Sequence, residues 1–115
     1  MKRELDLSLC ARFPKIFAQR QMPMIRTAMS WGFECGDGWF NLIDSLCESI
    51  QAHVDHSKCW QVKAIQVDEK YGGLRFYYSG GDDTVFALVS LAENLSERTC
   101  EVCGAPGAPT RLSSL

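Results

Sequence analysis

The feature that most restricts the fold is a stretch that turns back on itself, Trp60–Ser79. Its second half, Leu74–Tyr78, alternates apolar residues with Arg75 and Tyr77, the two-residue period of a strand with one face on a core. Its first half, Val62–Val67, is rich in β-branched residues, which suit a pleated surface. The stretch therefore predicts a β-hairpin.

The predicted connection between the two strands, Asp68–Gly73, is longer than a two-residue turn. Gly72 and Gly73 can take the positive φ that such a loop needs. An isolated hairpin is only marginally stable in water, so this one must pack against helices or further strands. Apolar and polar residues alternate over Met29–Cys35, which predicts a short third strand.

Two amphipathic segments predict the helices that cover the hairpin. Over Trp39–Val54, apolar residues recur at three- and four-residue intervals, and Asp37 can cap the first turn. Thr84–Arg98 has a similar stripe, preceded by the acidic pair Asp82 and Asp83, which favours the positive end of the helix dipole.

These elements predict an α+β fold, a small antiparallel sheet packed against two main helices. We expect one domain over residues 1–115, which is an ordinary domain length. Residues 1–28 are predicted to be irregular or helical with a break near Phe13–Pro14, and residues 104–115 to form a loose tail. Trp31, Trp39 and Trp60 are expected in the core or at its edge.

Composition limits the classes of partner. The 12 basic and 14 acidic residues give a net charge of −2, whereas broad nucleic-acid binding normally needs a basic excess. No apolar run approaches the ~20 residues of a membrane span, and no secretory core is present, so we expect a cytoplasmic protein. Six cysteines are accordingly expected to be reduced thiols and not disulfides.

The sharpest local motif is Cys100-x-x-Cys103 followed by glycine, which is half of a tetrahedral zinc site. Three alternatives follow for the other half. His56 and Cys59 could complete the site within one chain, a second subunit of a homodimer could supply its own pair, or the motif binds no metal. We expect no cofactor, with zinc as the alternative. His53 and His56 are expected to be solvated at a helix C-terminus.

Cations and aromatic residues interleave on or near the hairpin, and they are the candidate partner-binding residues. They are Lys63, Lys70, Tyr71, Arg75 and Tyr77. Such a face can bind phosphates and stack bases, or it can form a protein interface. The acidic balance favours the protein interface, with nucleic acid as the alternative. No nucleophile elbow, P-loop or dinucleotide fingerprint is present, so no enzyme activity and no catalytic residue are predicted.

Several motifs together resemble a family of small uncharacterised phage and prophage proteins. They are GDGW at residues 36–39, VDEKYGGLRFYYSGGDD at 67–83, AENLS at 92–96 and CEVCGAPG at 100–107. In that family a segment like KEKFGGLRFY precedes a helix and a C-terminal end like a zinc knuckle. Family members continue into another Cys/His pair, whereas this chain ends at Thr110–Leu115, as if shortened.

The resemblance covers roughly Asp37 to Gly107. It implies a biological role but identifies almost nothing about a biochemical activity. Small phage-borne proteins of this size and acidity often bind and block host machines, including CRISPR effector complexes. The function expected from it is non-enzymatic binding and inhibition of a host protein assembly, such as a CRISPR-Cas or other defence system. The alternative is a zinc-knuckle regulator that binds nucleic acid through Lys63, Lys70 and Arg75.

Overall fold

The structure is a computed structural model that describes residues 1–21, 29 and 32–107. Its regular elements are α1 (Arg3–Arg12), β1 (Phe33–Glu34), α2 (Phe40–Ser57), β2 (Lys63–Lys70), β3 (Gly73–Ser79) and α3 (Asp83–Ser96). Short 3₁₀ turns at Ala18–Gln21 and Asp37–Trp39 lie between α1 and α2. The predicted α+β fold class is confirmed.

The predicted hairpin is present as the antiparallel pair β2–β3, in which Val67 lies opposite Phe76. The predicted long connection is wrong. Lys70 pairs with Gly73, so the turn consists of Tyr71 and Gly72 alone, with φ values of 54° and 82°. Positive φ at both positions is typical of the tight turns that match strand twist, which usually have Asn or Gly at the first position.

The third strand differs from its prediction in direction and length. β1 pairs parallel to β2, with Phe33 opposite Val67, so the three-stranded sheet is mixed and not antiparallel. A parallel pair needs a long crossover, and α2 supplies it between β1 and β2. Of the predicted strand over Met29–Cys35, Ser30 and Trp31 lie outside the described residues. Gly32 has a φ of 88°, which ends any extended run before β1.

The core lies between the inner face of the sheet and the apolar stripes of α2 and α3. Both helices lie close to their predicted ranges, and their stripes are buried. The buried residues are Ile43, Leu46, Cys47, Ile50 and Val54 on α2, and Val85, Val89 and Ala92 on α3. Trp39 is buried as expected, whereas Trp60 is 83% exposed and is not part of the core.

α3 also covers the free edge of the sheet. The backbone N–H of Leu74 donates to Ser96 Oγ at 2.8 Å, and that of Phe76 donates to Glu93 Oε2 at 3.0 Å. An uncovered edge strand presents unpaired backbone groups to other chains. Side chains of α3 therefore satisfy part of the backbone of β3.

The N-terminal part is helical before the predicted break. α1 ends at Arg12, and Phe13 is its C-terminal cap. The predicted loose tail is more ordered at its start, since Thr99 bridges to Pro106 and Gly107 N–H donates to the Arg98 carbonyl at 2.7 Å. Residues 108–115 lie outside the described part. All six cysteines are free thiols. Within the described ranges, no helix has both the length and the apolar character to span a bilayer.

Candidate functional site

The five predicted partner-binding residues share the solvent side of the hairpin. Strand pairing places Asp68 directly opposite Arg75, and Tyr77 opposite Gln66, on the opposite side of the strands from Val67 and Phe76; Asp68 itself is buried, with 8% exposure. Ile65 falls where the register shifts, so this β-branched residue is 38% exposed. We call the set the outer hairpin face. It consists of Lys63, Ile65, Asp68, Lys70, Tyr71, Arg75 and Tyr77.

Arg75 is held at the centre of the outer hairpin face. Its Nε and Nη2 donate to the two carboxylate oxygens of Asp68 at 2.8 and 2.6 Å. Its guanidinium lies 5.2 Å from the centre of the Tyr77 ring, and Nη1 donates to the Tyr77 hydroxyl at 3.2 Å. These bonds, above all those to Asp68, raise the pKa of Arg75. Arg75 is predicted to bind a partner, but its charge is already paired with that of Asp68 within the chain.

Tyr71 stands at the tip of the hairpin and is 77% exposed. It occupies a positive-φ position that a residue with a large side chain rarely adopts. Its ring contacts Lys70, whose Nζ lies 5.4 Å from the ring centre. The turn is closed from the other side by Glu69, whose carboxylate accepts from Gly72 N–H at 2.8 Å. The fold therefore presents an aromatic ring where asparagine or glycine would be the relaxed choice.

The Cys100–Cys103 motif forms a compact knuckle at the end of α3. Gly104, with a φ of 81°, turns the chain so that its N–H donates to the Cys100 carbonyl at 2.8 Å. Hydrogen bonds from the backbone N–H groups of Cys103 and Val102, and then from the Cys103 thiol, lower the pKa of Cys100. This favours the thiolate, the form that binds metals.

The structure does not bring His56 and Cys59 to this knuckle. The knuckle packs on the turn before α2, where Gly38 N–H donates to the Glu101 carbonyl and Trp39 Nε1 donates to the Thr99 carbonyl. His56 and Cys59 lie at the other end of α2, whose 18 residues make a rod about 27 Å long. The four-ligand site predicted within one chain is therefore not assembled.

Cys59 instead lies beside two residues that were expected to have other roles. His53 Nε2 lies 2.8 Å from Asp82 Oδ2, so His53 is not simply solvated. Asp82 also caps α3 by accepting from Val85 N–H at 3.1 Å. These bonds, the one to His53 first, lower the pKa of Asp82. Ligand atoms of His53, Cys59 and Asp82 all lie within 4.8 Å of one another.

No spacing rule could have joined these three residues, since they come from a helix end, a link and a helix cap. His53 and His56 differ by three positions, and only the placement of α3 shows which of them faces Asp82. No protein-family model, curated protein or solved structure matches the chain. The resemblance to phage proteins stays a prediction.

Proposed function

We propose that this chain is a non-enzymatic protein that binds a partner protein through the outer hairpin face. The observation that carries the proposal is Tyr71, a largely exposed aromatic residue kept in a strained backbone position at the hairpin tip. Strain of this kind persists where the surrounding structure enforces it, and it is concentrated at functional positions. Tyr71 makes no contribution to the core that would explain it.

The chemistry of the face fits a protein surface. Tyr and Arg are enriched among the residues that dominate binding energy at protein interfaces. Arg75 is fixed by Asp68 and by Tyr77 before any partner arrives, so less side-chain freedom is lost on binding. Ile65 adds exposed apolar area beside them.

The same geometry weighs against phosphate recognition by this face. Asp68 already neutralises Arg75. Among the described residues of the face, Lys63 and Lys70 carry no ion pair, which leaves about two cations for phosphates. Proteins that make 6–10 phosphate contacts lose roughly a thousandfold or more in affinity over a modest rise in salt, and two contacts predict a logarithmic slope of only about −2.

The proposed partner is a protein assembly of a bacterial host, and the proposed consequence is its inhibition. This part rests on the resemblance to phage proteins, with a CRISPR effector complex as the example that the resemblance implies. The cytoplasm is the proposed location, supported by six free thiols, which a reducing compartment would maintain.

A comparison of captured proteins tests this proposal. Tagged wild type, a Tyr71→Asn/Tyr77→Ser variant and a Phe86→Ser control would be incubated with bacterial lysate. Phe86 is also exposed, at 67%, but lies on α3. We expect a partner that is retained by wild type and by the control and lost with the double variant. Removing two interface anchors should weaken the purified complex by about 30-fold or more for each one.

Retention of every captured protein by the double variant would exclude the outer hairpin face as the binding surface. Circular dichroism and thermal unfolding of all three proteins would confirm that loss of binding is not loss of fold. Inhibition is tested separately, by adding the chain to the purified partner and measuring the partner's own activity.

The second candidate function is a zinc-knuckle regulator that binds nucleic acid, and the stabilised thiolate of Cys100 favours it. Because the knuckle offers two sulfurs, a tetrahedral site there would need ligands from elsewhere, such as a second copy of the chain. This alternative predicts zinc-dependent dimers and nucleic-acid affinity that falls with salt. Monomers that bind no oligonucleotide, with and without zinc, would contradict it.

A further inference from the structure

Three metal-binding side chains of different kinds meet at the C-terminal end of α2. His53 comes from the last turns of the helix, Cys59 from the link to β2, and Asp82 from the cap of α3. All three are at least partly accessible to solvent, so an ion could reach them. The cluster lies far from the knuckle and takes no part in the outer hairpin face.

The backbone brings these residues together through two local devices. Lys58 adopts a φ of 63° immediately after α2, which reverses the chain and places Cys59 back beside the helix. Gly80 and Gly81 also have positive φ, and Gly81 N–H donates to the Trp60 carbonyl at 2.9 Å. A Cβ at Gly80 would collide with the Gln61 backbone. The loop before α3 is therefore pressed against the link that carries Cys59.

We propose that His53, Cys59 and Asp82 form a zinc-binding site with one coordination position left for water or an external ligand. An imidazole nitrogen, a thiolate and a carboxylate oxygen are all ordinary zinc ligands, and three protein ligands plus an open position is a recurrent arrangement. Zinc would replace the thiol proton of Cys59, which passes to the buffer. The thiolate and the carboxylate then balance the charge of the ion.

The distances require small movements. With bonds of about 2.0–2.3 Å, the ligand atoms of a tetrahedral zinc site lie about 3.3–3.8 Å apart. His53 Nε2 and Asp82 Oδ2 must separate by about half an ångström from their present 2.8 Å. Cys59 must approach by at most about 1.5 Å from the 4.8 Å limit of the cluster, which a side-chain rotation can supply.

Asp82 can bind zinc and still cap α3, because it has two oxygens. Oδ1 accepts from Val85 N–H and lies 3.0 Å from His53 Nε2, whereas Oδ2 lies nearer to His53, at 2.8 Å, and is free to bind the ion. The His53–Asp82 bond alone would explain two of the three residues as a helix-capping pair. It does not explain why the Cys59 thiol lies beside that pair. An ion bound by all three residues would explain this position.

Metal titration of the full chain tests the proposal, with cobalt(II) and then zinc(II) as the probes, in a non-thiol reductant. The background variant Cys100→Ser/Cys103→Ser removes the knuckle. We expect it to bind one cobalt ion per chain, with a thiolate-to-cobalt absorption band that zinc abolishes. Zinc should also raise the midpoint of thermal unfolding, because the ion ties together α2, its link and α3.

Three further substitutions in that background locate the ion. Cys59→Ser should abolish the thiolate band. Asp82→Asn keeps a good helix cap but loses the carboxylate, and we expect its affinity to fall by at least about tenfold. His53→Gln should lower the affinity similarly, whereas the matched change His56→Gln should leave it unchanged. Absence of metal binding by the background variant, or equal binding after Cys59→Ser, would overturn the proposal.

Discussion

The two faces of the hairpin are built from adjacent residues of the same strands, yet most of their side chains differ in exposure to solvent. On the inner face Val67 and Phe76 are at most 2% exposed and pack beneath the helices. On the outer face Ile65 and Tyr77 are 38% and 46% exposed, and order comes from the bonds between Asp68 and Arg75. Burial therefore specifies the inner face, whereas the outer face is free to specify a partner.

Neighbouring substitutions on opposite faces should separate stability from binding. Phe76→Ala leaves a cavity in the core, and we expect the free energy of unfolding to fall by about 3–5 kcal/mol. Tyr77→Ala removes an exposed ring, and we expect a change of about 1 kcal/mol or less. Urea denaturation of both variants, with the same slope against denaturant, measures the difference.

The binding measurement should give the opposite order. Tyr77→Ala should lose the captured partner while Phe76→Ala, at a temperature where it is folded, keeps it. If both substitutions cost the same stability, the two faces are not distinct and the hairpin is covered on both sides.

A second prediction compares buried and exposed thiols through the pH dependence of stability. Burial raises the pKa of Cys35 to about 12 and that of Cys10 to about 11, and it also raises that of Cys47, from an ordinary value near 9. The folded chain thus retains three protons that the unfolded chain releases above pH 9. Their contribution is complete below about pH 9 and is lost as pH rises towards 12, with a slope of up to about 4 kcal/mol per pH unit for three thiols.

Denaturation curves between pH 8 and pH 11 measure that slope. Cys47→Ala should reduce the contribution of the thiols by about a third. Cys100→Ser should leave the slope above about pH 9 unchanged, because the knuckle lowers the pKa of Cys100 and its thiol is then ionised in both the folded and the unfolded chain. A flat stability profile above pH 9 would show that these three thiols are not enclosed.

Periodic sequence patterns predicted the helices and strands that pack around the core well. The stripes of α2 and α3 and the alternation of Leu74 to Tyr78 report burial directly, because a face repeats along its own element. The direction of β1 has no such signal, since its two residues are too short to show a period. The prediction that Trp60 lies in the core or at its edge is wrong, because aromatic character alone does not show which way a side chain in a link faces.

The candidate sites depend on contacts between distant segments, which local patterns do not encode. Cys-x-x-Cys spacing indicates a candidate metal-binding motif, but the residues near that motif depend on which end of α2 it packs against. The His53–Asp82 pair spans 29 positions. The bond between Asp68 and Arg75 follows from strand register, and the sequence left that register open by allowing a longer turn.

A third prediction concerns the salt bridge between Asp68 and Arg75, which orders the outer hairpin face. Asp68→Asn keeps the shape but removes the charge that holds Arg75, so we expect partner affinity to fall by up to about tenfold as that side chain becomes mobile. Glu48→Gln makes the same charge change on α2 and should have no effect. Calorimetric titration against the captured partner measures both.

Because Asp68→Asn releases the guanidinium of Arg75, this variant also tests the second candidate function, nucleic-acid binding. Under nucleic-acid binding, Asp68→Asn should strengthen oligonucleotide affinity and steepen its logarithmic salt dependence by about one. Weaker partner binding together with a stronger oligonucleotide complex would show that the two activities share this face.

The smallest expected effect is the most diagnostic, because it has the opposite sign. Tyr71→Asn places a residue that tolerates positive φ at the hairpin tip, and we expect the free energy of unfolding to rise by about 1 kcal/mol. Lys58→Gly relieves a similar left-handed position at the end of α2 and should stabilise the fold without touching the outer hairpin face. Urea denaturation gives both stabilities, and titration of the captured partner gives both affinities. Stabilisation with loss of binding for Tyr71→Asn, beside stabilisation with intact binding for Lys58→Gly, would mean that the strain at the tip is retained for recognition. Intact binding by both variants would mean that Tyr71 is an exposed residue in an unfavourable turn and that the partner is recognised elsewhere.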